Sequence, residues 1–251
     1  MIKLFSKIRK QLLNENKTGR YFKYAIGEIF LVMVGILLAL QVNNWNQERQ
    51  LNKEEAKILK GLHQEFNENI TRFDDIYKLQ EARRDGILEA LTSNIEDLSI
   101  EEFDSISKVI GWSWTFDPYQ GFYNSVISSG RIELISNDAL KQGITRFQDL
   151  LNDYKEEEIN TMGFVDENLY PYLIDNDFPN FETITNIKER TEQEKIIEKQ
   201  IYIEIYQSNK FENLLNLAFA YMSAIFTEGP ILREEMVSII NLLESEIANH
   251  K

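Results

Sequence analysis

The 251-residue chain has no cysteine and only two histidines, and these scarcities exclude several kinds of site. Without cysteine there is no disulfide, thiolate nucleophile, zinc–cysteine site or iron–sulfur cluster. His63 and His250 are far apart in the sequence, so neither indicates a metal site or a hydrolytic triad. The chain also lacks the glycine motifs that bind phosphates and dinucleotides. We therefore expect no catalytic residue, no metal and no cofactor.

Three weaker signals for chemistry also favour simpler interpretations. Asp175–Asp177 begins like a calcium loop but lacks the glycine and the final glutamate of one. Glu156–Glu158 is predicted to be a solvated helix face. Ser128 and Ser129 lack a nucleophile-elbow motif and a nearby histidine. The sequence predicts a protein that is not an enzyme; a hydrolase that uses paired carboxylates is the remaining alternative.

Charge is divided unequally along the chain. Residues 1–45 carry seven Lys or Arg and two acids, whereas the whole chain has a net charge of −14. The remainder is therefore strongly acidic and is repelled by nucleic acid, so we expect no nucleic-acid binding. The basic residues suit an anionic lipid surface instead.

Residues 24–45 form the longest apolar segment, uninterrupted from Ile29 to Leu40. About 20 apolar residues cross a bilayer as a helix, and Trp45 lies at one end, as interfacial aromatics do. Seven bases precede the segment and none follows it immediately. This bias predicts a single-pass anchor in the inner (cytoplasmic) membrane, with the N-terminus in the cytoplasm and residues 46–251 in the periplasm. A cleavable signal peptide is disfavoured because the basic region is long and the cleavage site is poor.

Residues 1–23 form a basic arm on the cytoplasmic side. Ile2, Phe5, Ile8 and Leu12 share one helical face, with lysines off that face. This pattern is typical of a short amphipathic helix that lies in a membrane interface. We expect the arm to bind anionic lipid.

The acidic remainder, residues 46–251, has helical periodicity and predicts an all-α domain. A long helix, bent near residues 43–46 and suited to a bundle or coiled coil, places these residues on one face: Leu51, Ile58, Leu62, Phe66, Ile70, Phe73 and Tyr77. Ser99 and Asn137 are predicted N-caps, and residues 175–195 are predicted to be an irregular connector. Residues 197–206 fit a strand or a helix, with helix favoured. Gly229-Pro230 is predicted to end one helix and to start the last.

A face of the membrane segment contains Glu28, Val32, Gly35 and Ala39. Gly35 and Ala39 form a small-xxx-small pair, which lets two helices approach closely. Glu28 is the only ionisable residue in the segment, and a charge there is costly unless it is paired or reaches water. The alternatives are packing against another helix, a lipid-facing position with Glu28 reaching the interface, and an ion relay.

Residues 112–123, WSWTFDPYQGFY, concentrate aromatic side chains around a proline and a glycine. Trp112, Trp114, Tyr119 and Tyr123 combine apolar faces with polar edges and are candidates for an interaction platform. The alternative is that these rings fill a junction between helices.

The stretch GEIFLVMVGILLALQVNNWNQER, residues 27–49, resembles an uncharacterised family of single-span proteins from Bacteroidota, described as a domain of unknown function. The residues that carry the resemblance are Gly27, Glu28, Gly35, Gln41, Asn43, Asn44 and Trp45. The resemblance implies an inner-membrane location and a periplasmic helical domain. It implies no activity and no catalytic residues.

Taken together, these patterns predict a non-enzymatic, membrane-anchored helical protein that acts as an interaction or scaffold module in the cell envelope. Its expected partner is another envelope protein or a second copy of the chain. The alternative is a ligand-sensing module that signals through a partner, because the short cytoplasmic arm has no room for an output domain.

Overall fold

The computed structural model describes residues 18–179 and 190–249, and within these ranges the chain is helical and has no strand. The predicted all-α class is confirmed. The predicted amphipathic arm falls almost entirely on residues 1–17, which lie outside the described residues.

Seven α-helices are described, together with short connecting turns of other helical types. The helices are α1 (Thr18–Thr92), α2 (Ile100–Ile110), α3 (Gly121–Ser128), α4 (Asp138–Phe164), α5 (Tyr170–Asp175), α6 (Glu192–Tyr206) and α7 (Asn209–Asn249). The predicted caps are present. Ser99 and Glu102 form a reciprocal capping box at α2, and the side chain of Asn137 accepts a hydrogen bond from Leu140 N at the start of α4 (3.0 Å).

Residues 1–57 form one compact unit and residues 58–251 form another. In the first unit, the part of α1 after Ala25 includes an 18-residue window with a mean hydropathy of 2.3 whose residues are all unburied. Ile29, Leu31 and Leu38 are each more than 60% exposed. In length and composition this helix is therefore able to span a membrane.

The second unit has two apolar clusters, which helices from distant parts of the sequence build together. One cluster packs α1, α4 and α7 through Phe66, Phe73, Phe147, Tyr154 and Met236. Phe66 meets the edge of Phe147 with ring centroids 4.9 Å apart. Fully burying a side chain of this size is worth about 1.5–3 kcal/mol, so these rings dominate the stability of the bundle.

The other cluster begins at Ile87, near the C-terminal end of α1. It joins α2, α5 and α6 to the start of α7 through residues that include Phe103, Leu173, Tyr202, Tyr206 and Phe211. Residues 197–206 belong to α6, which confirms helix over strand for this segment. Of the predicted irregular connector, residues 175–195, the two ends are helical, since α5 ends at Asp175 and α6 begins at Glu192, and residues 180–189 lie outside the described residues.

The predicted helix break at Gly229-Pro230 is wrong, because α7 continues through both residues to Asn249. A proline inside a helix costs about 3 kcal/mol. Ile225 before it and Leu232 after it are both buried in the same cluster, so packing on each side holds the helix together. Gly229 is needed for close approach: a Cβ there would lie 2.5 Å from Cε2 of Tyr77.

Candidate interaction site

Residues 112–123, here called the aromatic segment, run along α1 in the opposite direction to it. Arg83 Nη1 donates to Ser113 Oγ (3.0 Å), and Gln80 Nε2 donates to the carbonyl of Trp114 (3.0 Å). Residues 112–120, the part of the segment before α3, have no regular structure, so their backbone polar groups need partners from side chains. The side chains of α1 supply these partners.

Asn69 and Glu65 hold the other end of the segment. The amide of Asn69 donates to the carbonyl of Tyr119 (2.8 Å) and accepts from its N–H (2.7 Å). The carboxylate of Glu65 accepts hydrogen bonds from Phe122 N (2.7 Å) and Tyr123 N (2.8 Å). These N–H groups lie in the first turn of α3, where a negative charge is stabilised.

Gly61 and the ring of Phe122 are in close contact beside this end. A Cβ at Gly61 would lie 2.3 Å from Cζ of Phe122, so only glycine permits the contact. Nothing in the local sequence marks Gly61 as required, since a helix tolerates a single glycine at a cost of about 1 kcal/mol. The requirement comes from the aromatic segment, which is distant in sequence.

Glu158 on α4 completes the set of side chains that hold the segment. One of its carboxylate oxygens accepts from Phe116 N (2.8 Å) and from Gln80 Nε2 (2.7 Å). The hydroxyl of Tyr154 donates to Gln80 Oε1 (2.6 Å), which fixes the orientation of that amide. The predicted solvated face at Glu156–Glu158 is therefore wrong for Glu158, which is 3% exposed.

Burial sets the proton affinity of this carboxyl group. Desolvation raises the pKa of Glu158 to about 7, against the opposing effects of the hydrogen bonds from Phe116 and Gln80. Asp117 raises the pKa further and Lys155 lowers it. Burial and the nearby carboxyl of Glu158 also raise the pKa of Tyr154 well above its ordinary value.

The four predicted platform aromatics do not form one surface. Trp112 is 42% exposed and Tyr119 is 54% exposed, Trp114 is half-buried, and Tyr123 is buried. The hydroxyl of Tyr123 donates to the carbonyl of Ile144, so this residue belongs to the core. From Asn69 to Arg83 the helix rises by about 21 Å, so Trp112 and Tyr119 present their rings at well-separated places.

A groove of about 630 Å³ lies beside Tyr119, along the surface of α1. Its lining includes His63, Asn67, Arg72 and Asp75. The guanidinium of Arg72 lies over the ring of Tyr119, 5.3 Å from its centroid. His63 lies 3.3 Å from a carboxylate oxygen of Glu244, whereas His250 lies outside the described residues. No three acids or histidines in the described ranges converge as metal ligands would.

The membrane-helix face predicted from the sequence can be described within the first unit. Val32, Gly35 and Ala39 are exposed and Glu28 is half-exposed. A Cβ added at Gly35 would meet no atom within 4 Å, so the described chain itself does not cover this position. Packing through this face stays a prediction.

The side chains that hold the aromatic segment are not among the residues predicted from the sequence, although they leave one signal in it. Glu65, Asn69, Gln80 and Arg83 interrupt the apolar face of α1 and are all less than 10% exposed. Polar residues inside an apolar helical face need buried partners, so their positions indicate a polar contact at this face. The sequence does not predict which groups these side chains bind, because most of those groups are backbone atoms of a distant segment.

Comparison with known proteins assigns a family without an activity. A search of curated proteins and a search of solved structures returned no significant match. Residues 28–171, more than half of the chain, match a family described as "Family of unknown function (DUF6090)". The match includes the apolar part of α1, the aromatic segment and Glu158. The chain belongs to the DUF6090 family of unknown function.

Proposed function

We propose that the chain is a membrane-anchored, non-enzymatic interaction module of the cell envelope, whose helical domain binds another envelope protein or a second copy of the chain. The aromatic segment is the observation that carries this proposal. Buried side chains of α1 and α4 fix its backbone, while Trp112 and Tyr119 stay exposed. Exposed aromatic side chains on a fixed backbone bind proteins well, because little conformational entropy is lost on contact.

The chemistry of the segment supports binding over catalysis. Glu65 and Asn69 bond to backbone groups of the segment, as do Gln80 and Glu158. Their polar atoms hold an extended chain in place instead of surrounding a substrate-sized cavity.

The proposed location rests on the apolar part of α1 and on charge. An exposed helix of this length and apolarity suits a single-pass anchor. The basic residues before it favour a cytoplasmic N-terminus next to anionic lipid, with the acidic helical domain in the periplasm. Because the chain has no cysteine, single substitutions Ser6→Cys and Ser245→Cys test the orientation without background labelling. An impermeant thiol reagent should label only Ser245→Cys in spheroplasts, and labelling of only Ser6→Cys would reverse the orientation.

Site-specific photo-crosslinking in intact cells tests the interaction. A photoreactive phenylalanine analogue replaces Trp112 or Tyr119 in the full chain, and Ser238, which is exposed on α7, serves as the control position. We expect adducts with one defined protein at the two aromatic positions and none at Ser238. Equal yields at all three positions, or no adducts, would contradict the proposed binding through Trp112 and Tyr119.

The alternative function, a ligand-sensing module that signals through a partner, rests on the groove beside Tyr119. Its volume suits a small molecule, and Arg72 offers a cation beside an aromatic ring. Mass spectrometry of the purified full chain tests this alternative. A small molecule that is present in the native protein and absent from an Arg72→Met variant would favour sensing, whereas its absence from both would favour the interaction module.

A further inference from the structure

Arg83 is a buried cation with one edge unpartnered. Its side chain is 2% exposed on α1, and Nη1 donates to Ser113 Oγ. Among the described residues, Nε and Nη2 have no hydrogen-bond partner, and the ionisable group that acts on the guanidinium is the phenol of Tyr170. Burial lowers the pKa of Arg83 to about 10, so the group remains charged at neutral pH. An isolated buried charge is costly unless an opposite charge compensates it.

The unpartnered edge has a specific chemistry. Nε and Nη2 are the two parallel donors with which a guanidinium binds an anion in a bidentate manner. The two side chains that interact with it, Ser113 and Tyr170, do not supply a negative charge. Ser113 is a hydroxyl, and the hydroxyl of Tyr170 donates to the carbonyl of Gly111 (2.8 Å).

Thr161 supplies another unpartnered donor, on α4, which packs against α1. Its Oγ1 is buried and has no hydrogen-bond partner in the described part of the chain. The contacts Phe66–Phe147, Phe73–Tyr154 and Gln80–Glu158 show that α1 and α4 run in the same direction. Arg83 lies about one turn beyond Gln80, and Thr161 lies about one turn beyond Glu158. The two residues therefore lie within about one helical turn of each other along this pair of helices.

We propose that Arg83 and Thr161 bind one small monovalent anion, with the charge and size of chloride or formate, beneath the start of the aromatic segment. Within about one turn, three donors lack an acceptor among the described residues, and a single negative charge balances the single guanidinium. The anion would stabilise the part of the segment that Arg83 holds through Ser113. This proposal is independent of the proposed interaction function, because it concerns the chain alone.

Thermal unfolding of the purified full chain in uncharged detergent tests the proposal. Chloride, bromide and formate are titrated at constant ionic strength. At about 20 times the Kd, binding should raise the Tm of a domain of this size by about 4–7 °C. The Arg83→Met variant should lose this increase, whereas Lys78→Met, which removes an exposed cation of the same helix, should retain it. An equal response of the native protein and Arg83→Met would mean a general salt effect and would overturn the proposal.

Crystals of the native full chain grown in bromide give a direct second measurement. We expect an anomalous peak beside Nε and Nη2 of Arg83. Ordered water there without a bromide peak would overturn the proposal, even if Arg83→Met fails to fold. Thr161→Val replaces only the hydroxyl group by a methyl group, and it should raise the Kd for the anion several-fold in the same titration.

Discussion

Glu158→Gln is expected to make the stability of the helical domain less dependent on pH. The pKa of Glu158 is about 7 in the folded protein, against an ordinary value of 4.5. Because the folded state holds this proton more tightly than the unfolded chain, the contribution of Glu158 is fully present below about pH 4.5. It is lost as the pH rises towards and through about 7. Between pH 5 and pH 8 the loss amounts to about 2.5 kcal/mol of the free energy of unfolding.

The glutamine side chain has nearly the same volume and keeps an oxygen that accepts from Phe116 N and Gln80, but it does not ionise. The difference in stability between Glu158→Gln and the native protein should therefore move in favour of the variant by about 2.5 kcal/mol between pH 5 and pH 8. Urea unfolding of the full chain in uncharged detergent measures it through tryptophan fluorescence, because Trp114 lies in the segment that Glu158 holds.

Glu156→Gln, at an exposed position on the same helix, is the matched control and should show a much smaller change. A difference between Glu158→Gln and the native protein that stays constant to within about 0.5 kcal/mol from pH 5 to pH 8 would refute the reasoning. In that case, the carboxyl group would be in contact with water instead of the backbone of the aromatic segment.

Other substitutions test the close contacts and the membrane face. Gly61→Ala should destabilise the domain by about 1–3 kcal/mol in urea unfolding, because its Cβ would overlap the ring of Phe122. Gly163→Ala has open space around its Cβ and should stabilise α4 by about 0.5–1 kcal/mol. Glu65→Ala leaves two N–H groups of α3 without an acceptor and should cost about 2–4 kcal/mol; a cost below about 0.5 kcal/mol would contradict that role. If two membrane helices pack through Gly35, Gly35→Leu should reduce cross-linking between copies in membranes, while Leu37→Phe, on the opposite face, should not.

The sequence predicts most of the helices here because their signals are local. A repeat of 3–4 residues identifies the buried faces of α1, α4 and α7, and side chains such as Ser99 and Asn137 mark helix starts within one turn. The wrong helix end at Pro230 shows the limit of local rules. There, burial of residues on both sides outweighs the cost of the proline.

The site is less predictable because its determinants are distant in sequence. Glu156 and Glu158 are the same residue type in one acidic run, yet one is exposed and the other is buried. What distinguishes them is a backbone N–H at Phe116 and an amide at Gln80, far from α4 in sequence. The aromatic content of residues 112–123 does indicate a special segment. Which rings point outward depends on how the side chains of α1 fix the backbone.

Truncation after Pro171 tests whether the family-matched region folds alone. The match ends at this residue, but the apolar clusters also require residues beyond it. These residues lie on α6 and α7 and include Tyr202, Phe211, Leu232 and Met236. Burial of each is worth about 1.5–3 kcal/mol, and a typical domain has a net stability of only about 5–15 kcal/mol. Without α6 and α7 the remaining helices should therefore lose fixed packing.

We expect a chain of residues 1–171, expressed in membranes, to be degraded rapidly by added protease and to unfold without a cooperative transition. A chain of residues 1–244 is the control, since it keeps Tyr202, Phe211, Leu232 and Met236 and lacks only the last seven residues, which include the end of α7. Cooperative unfolding of residues 1–171 would contradict this expectation and would make the matched region a domain in its own right. Phe73 and Tyr154 pack against Phe116 of the aromatic segment and share one cluster with Leu232 and Met236 of α7. If the expectation is met, the aromatic segment and the side chains that hold it therefore depend on α7 for their support. The proposed binding through Trp112 or Tyr119 would then be lost on truncation, although both residues remain in the shortened chain.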